Sequence, residues 1–166
     1  MFSYNDQIAV AVSGGKDSLT LLSIMNKLKV RFPLSKLIAI TIDEGISDYR
    51  EEAISLAKSL SESLGIEHRL FSFKELFKIT LDDFLKKHDE LAPCSYCGVL
   101  RRRALEVAGR SVGANKIVTA HNLDDEVQTM FLNILHGGVD RLMRSSPVLA
   151  DPDGRFIQRV KPLCYL

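Results

Sequence analysis

The chain has 166 residues, 46% apolar composition and a net charge of +1. That is enough for one buried core, too little for two ordinary domains, and no global nucleic-acid signature. No apolar stretch reaches the roughly 18 residues of a membrane span and Met1-Phe2-Ser3-Tyr4 opens no signal peptide, so the cytoplasm is the expected location.

In chain order, Ile8 to Val12 is an apolar run suited to a buried strand, and Asp17 to Val30 has helical spacing that must end before Pro33. The β-branched run Leu37 to Ile42 predicts a second strand, closed by Asp43-Glu44-Gly45. Ala53, Leu56, Ala57, Leu60 and Leu64 share one helical face, Gly65 stops that helix, and Ile66 to Phe73 predicts a third strand. Phe73 to Glu90 and Cys97 to Val112 are expected as helices, Lys116 to His121 as a strand, and Leu123 to Leu135 as a further helix. In the tail, Gly137-Gly138 and Asp153-Gly154 are turn signals, and Phe156 to Val160 predicts an edge strand before Pro162. This alternation predicts an α/β fold: a doubly wound parallel sheet with helices on both faces, forming one domain over residues 1–166. Ligands in such sheets sit beyond the carboxyl ends of the strands, where Ser13, Asp43 and His121 fall.

The strand-to-helix junction Ser13-Gly14-Gly15-Lys16-Asp17-Ser18 has the makings of a phosphate cradle. Two glycines let the backbone approach a ligand, successive N–H groups face it, the helix N-terminus adds positive potential, and Lys16 supplies a cation. A Walker A loop would need glycine at position 10 and Ser or Thr at position 17, where this chain has Val10 and Asp17. The bland alternative is a Gly-Gly turn capped by Ser13 or Asp17.

The string AVSGGKDS resembles the pyrophosphate loop (PP-loop) of the ATP pyrophosphatases, whose fold is the adenine nucleotide alpha hydrolase-like, Rossmann-like sheet. Members cleave ATP between its first two phosphates and pass AMP to a carbonyl or amide oxygen. The resemblance implies that Ser13, Gly14, Gly15, Lys16, Asp17 and Ser18 hold the departing pyrophosphate, with adenine near Asp43 to Gly45.

A second constellation is Cys94-Ser95-Tyr96-Cys97-Gly98-Val99-Leu100-Arg101-Arg102-Arg103. Two cysteines three apart can chelate one metal or exchange one disulfide, and a helix starting near Cys97 would favour a thiolate. Next to three arginines, in a chain with this loop, the stretch resembles the tRNA thiolation branch of the same family, closest to its 2-thiouridine enzymes. Many of those hold a 4Fe-4S cluster on three cysteines, and Lys161-Pro162-Leu163-Cys164 matches the place of the third. The resemblance thus implies Cys94, Cys97 and Cys164 as ligands. It leaves open a zinc site completed by a histidine such as His88, a persulfide-bearing redox pair, and a merely buried Cys164.

His121-Asn122-Leu123-Asp124-Asp125-Glu126 resembles the family's GHN-x-DD segment, with Ala120 where many relatives have glycine. Helix capping by Asp124 and Asp125 is the plain alternative. By position at the sheet's ligand edge, Asp125 would hold the magnesium of ATP or orient the base, with Asp17 as another metal-side acid, and His121 would contact substrate or cap the turn rather than ligate metal. Arg101 occupies a basic position that is functional in relatives, often as lysine. Arginine cannot act as a proton-transfer base at neutral pH, so charge stabilisation is its expected role. Arg102 and Arg103 are expected to meet phosphate backbone or solvent.

Together these features imply a sulfurtransferase that adenylates the C2 oxygen of a uridine in tRNA and replaces it with sulfur. Expected partners are tRNA and a sulfur donor: sulfide, a persulfide or a ubiquitin-like carrier. A homodimer is among the states the resemblance allows. Rival readings are a 2-thiocytidine synthetase, a tRNA lysidine synthetase-like ligase that needs no cysteines, and a silent nucleotide-binding module. Relatives usually carry flanking zinc-binding modules, for which three cysteines leave no room.

Overall fold

A computed structural model describes residues 1–46, 50–87, 93–138, 146–148 and 154–166, with residues 85–87 and 93–95 described in backbone alone. Five strands form one all-parallel sheet: β1 (Gln7–Ala11), β2 (Lys36–Asp43), β3 (Glu67–Ser72), β4 (Lys116–Val118) and β5 (Gln158–Val160). Their order is β3-β2-β1-β4-β5. The chain therefore builds outward from β1 to β3, then returns to lay β4 on the other side of β1. The crevice between the ends of β1 and β4 is the topological switch point, where a doubly wound sheet leaves room for a ligand.

Burial on both faces explains the apolar strand sequences. Ile8, Val10 and Leu37 face one core with Leu21, Leu22 and Met25 of α1 (Lys16–Leu28) and Ala57 of α2 (Glu51–Ser63). Ala9, Ile40, Ile42 and Ile117 face the other, against Phe73 of α3 (Phe73–Phe77), Leu81 of α4 (Leu81–Lys87), and Ala104 and Ala108 of α5 (Pro93–Ser111). Helices thus cover both sides, as the alternation predicts. On α2, Leu56 points outward and Ser61 is buried instead, its hydroxyl donating to the Ala57 carbonyl at 2.7 Å.

Several boundaries differ from the sequence expectation. The stretch expected as one helix from Phe73 to Glu90 is two short ones, because Lys78 adopts the left-handed region at φ 59° and ends α3. Residues 88–90 of that stretch, with His88, lie outside the described residues. Helix α5 begins at Pro93, so Cys94 and Cys97 both lie within it, one turn apart, and not at its start near Cys97. The strand expected to reach His121 stops at Val118, and β3 gives way to α3 at Phe73. The tail strand is present at the sheet edge, two residues shorter than expected, and its register is pinned by buried Glu106, which accepts the Ile157 N–H at 3.1 Å.

Helix α6 (Leu123–Leu135) starts with a reciprocal capping box. Asn122 Oδ1 accepts from Asp125 N, and Asp125 Oδ2 accepts from Asn122 N, each at 3.0 Å. No residue of α6 is buried.

Candidate active site

At the switch point, the turn after β1 is fastened by one hydroxyl. Ser18 Oγ accepts the Ser13 N–H at 3.1 Å and donates to the Gly15 carbonyl at 2.8 Å. Gly14 has φ +85°, and a methyl group placed on it would stand 2.3 Å from the Ala53 carbonyl oxygen. Only glycine fits between the loop and α2. Gly15 has ordinary dihedrals, φ −77° and ψ 159°, and a methyl there would meet only Ser13 Oγ, at 3.7 Å. The fold does not require glycine at 15. Gly15 lines a cavity of about 410 Å³ and caps a thirteen-residue helix.

That cavity gathers most of the predicted residues. Ser13, Gly15, Lys16, Asp17 and Ser18 enter from the loop and the start of α1, His121 from the β4–α6 turn, Asp125 from the first turn of α6, and Arg101 from α5. The Lys16 ammonium is fully exposed and pairs with Asp17 Oδ1 at 2.7 Å, which raises its pKa. Asp125 does cap α6, as the plain reading held, yet it also lines the cavity. His121 Nδ1 lies 2.9 Å from Thr119 Oγ1, and desolvation, then Lys161, push its pKa down.

Other expected residues lie apart. Asp43 accepts the Gly45 N–H at 2.9 Å and closes its own turn, lining neither this cavity nor the smaller one beside it. Cys97 is half-buried on α5, with Arg101 Nη2 3.6 Å from its sulfur. Cys94 keeps its backbone place one turn earlier, while its side chain lies outside the described residues. Cys164 is buried in the first core's margin beside Leu163, and burial, then Glu126, push its thiol pKa up. Among the described residues, no three histidine, cysteine or carboxylate side chains form a metal site. Arg102 donates to the Gly98 carbonyl on its own helix, and Arg103 is exposed.

Two residues escaped the sequence reading. Glu44, which looked like a turn residue after β2, is fully buried and paired with both Arg50 and Arg101. Arg50 also donates to the Ile42 and Ser13 carbonyls, joining β2 to the loop. The only sequence signal was an acid placed directly after a buried parallel strand.

A glycine loop at a helix N-terminus, an exposed lysine and two carboxylates gathered at a switch point are the arrangement of a doubly wound α/β domain that can take a phosphate-bearing ligand. Residues 3–163 match the model of the PP-loop domain, and the chain belongs to that family. It is 40% identical to the cytoplasmic tRNA 2-thiolation protein 1 of Chlamydomonas reinhardtii over 99% of this chain and 46% of that one. It is 38% identical to the tRNA 2-thiolation protein NcsA of Haloferax volcanii over 93% and 50%. Among solved structures it resembles the U34-tRNA thiolase NcsA of Methanococcus maripaludis, determined with its [4Fe-4S] cluster. The TM-score is 0.85 and the identity 35%, covering 98% of this chain and 52% of that one. The chain thus spans about half the length of the relatives it matches.

Proposed function

We propose that this chain is the ATP-pyrophosphatase part of a cytoplasmic tRNA 2-thiouridine synthetase. One observation carries the reading: the SGGKDS loop and Arg101, whose guanidinium also reaches Cys97, line the same cavity. The nucleotide-activating loop and the thiol-bearing helix therefore address one space.

In this reading the phosphates of ATP rest on the N–H groups of the loop and on Lys16, which leaves Asp17 to join them. Asp17 and Asp125 would hold Mg²⁺; both line the cavity, and Asp125 is oriented by its cap. The C2 oxygen of an exposed uridine attacks the α-phosphorus, the bond to the bridging oxygen breaks, and pyrophosphate leaves into the loop, whose donors meet the growing charge. Arg101 adds fixed positive charge on the cavity wall. Inorganic sulfide then adds at C2 and the C–O bond breaks to release AMP; with a carrier thiocarboxylate the acyl C–S bond is hydrolysed afterwards, and with a persulfide a second thiol cleaves the S–S bond and leaves as a disulfide. His121, which lines the same cavity, contacts the nucleotide.

Cys94, Cys97 and Cys164 would hold a [4Fe-4S] cluster such as the Methanococcus maripaludis protein carries. The donor set suits it: two cysteines whose backbone positions lie one helical turn apart on α5, one of them with a guanidinium 3.6 Å from its sulfur, and a third that is buried. When bound, such a cluster supplies an iron with an open position for sulfur. The sulfur donor is inorganic sulfide, a persulfide or the thiocarboxylate of a small carrier.

The test is anaerobic purification of the full-length protein, iron and sulfide analysis, and an assay for ATP conversion to AMP with tRNA. Iron together with tRNA-dependent AMP is the expected result. A protein with neither sinks the proposal, and AMP made without iron would replace the cluster with a cluster-free mechanism.

A further inference from the structure

Glu44 is 0% exposed, a costly place for a carboxylate unless cations meet it there. Two do. Arg50 Nε lies 2.8 Å from Oε2 as a charge pair without hydrogen-bond alignment, and Arg101 Nε donates to Oε1 at 2.7 Å. Arg50 is itself nearly buried and donates to the Ile42 carbonyl at 2.6 Å and the Ser13 carbonyl at 3.3 Å, so one side of the cluster grips the start of the phosphate loop. Arg101 differs. Its side chain is half exposed, it comes from α5 across the sheet edge, and it forms part of the wall shared by the 410 Å³ cavity and a neighbouring one of about 60 Å³.

One carboxylate against two guanidiniums leaves a net positive charge, and burial decides where it is felt. Arg50 gives its donors to the Ile42 and Ser13 carbonyls and to Glu44 Oε1. Arg101 lines the cavity while its Nε is held by Glu44 and its Nη2 lies near Cys97, which fixes a long side chain that would otherwise sample many rotamers.

We propose that Glu44 is a positioning residue for the adenylation step: through Arg101 it holds a guanidinium between the phosphate loop and Cys97. Arg101 meets the substrate, and Glu44 acts only through it. The inference rests on the adenylation reading above and adds to it the residue that orients its fixed cation.

The test uses the full-length protein and its Glu44→Gln, Arg101→Met and doubly substituted forms. In ¹⁵N spectra, the Nε–H signal lost in Arg101→Met identifies Arg101, and its exchange with water should quicken at least tenfold in Glu44→Gln. AMP formation should fall about tenfold in Glu44→Gln with the KM for ATP within about threefold of wild type, and the double form should be no slower than Arg101→Met alone. Losses that multiply in the double form, or an unchanged Nε–H exchange in Glu44→Gln, overturn the proposal. If Glu44→Gln does not fold, Glu44→Asp, which keeps the charge on a stem one methylene shorter, is read in the same way. A wild-type protein that makes no AMP overturns the adenylation reading, while the exchange measurement still judges the hold of Glu44 on Arg101.

Discussion

A methyl group on Gly14 would stand 2.3 Å from the Ala53 carbonyl oxygen, whereas one on Gly15 would touch nothing closer than 3.7 Å. The two adjacent glycines should therefore fail differently. Gly14→Ala combines a left-handed backbone with overpacking and should cost about 2–4 kcal/mol of stability, seen as an earlier midpoint in urea. Gly15→Ala should unfold within about 0.5 kcal/mol of wild type yet bind ATP at least tenfold more weakly by titration calorimetry, because its methyl group enters the space the phosphates need. Equal loss of stability in both would refute the division. At this scale the loop was legible because its glycines, lysine and acid sit together in one string. The pairing of Glu44 with Arg50 and Arg101 was not, since Glu44 and Arg101 are 57 positions apart and only the sheet edge joins them.

Helix α3 ends at Lys78 with φ 59°, a strained conformation for a residue with a β-carbon. Lys78→Gly should relieve that strain and stabilise the protein by about 0.5–1 kcal/mol, raising Tm by about 2 °C; a drop in Tm would show that the lysine side chain matters more than its backbone. The same residue explains why Phe73 to Glu90 read as one helix. Hydrophobic spacing continues through the break, lysine is an ordinary helix former, and tertiary packing of Phe73 and Leu81 into the second core overrides that local preference. The N-terminus of α6 was easier. Asn122 three residues before Asp125 is a capping pattern, and the chain uses it both to start the helix and to aim a carboxylate at the cavity edge. The start of α5 was set too late, because a proline at its first position marks entry to the helix rather than a break.

For the whole molecule, strand alternation carried the fold, and the order β3-β2-β1-β4-β5 then fixes the site between β1 and β4. What alternation did not carry is the outward apolar surface of α6, where Met130, Phe131, Ile134 and Leu135 are all at least half exposed. The pH response also belongs to this scale. Desolvation is the first cause lowering the pKa of both His68, whose Nε2 lies 2.8 Å from buried Thr41 Oγ1, and His121, with Lys58 and Lys161 respectively adding to it. The folded protein therefore binds fewer protons than the unfolded chain in this range. Stability is fully present above the unfolded histidine value of about 6.5 and is lost as pH falls below it. Thermal unfolding should show a lower Tm at pH 5.5 than at pH 7.5, and His68→Gln should flatten part of that slope. The contact between Gly14 and Ala53 has one more consequence, which concerns entropy. A loop wedged against α2 and tied down by Ser18 has given up its disorder when the domain folds, so the ordering cost of a phosphate cradle falls on folding and not on each encounter with a nucleotide.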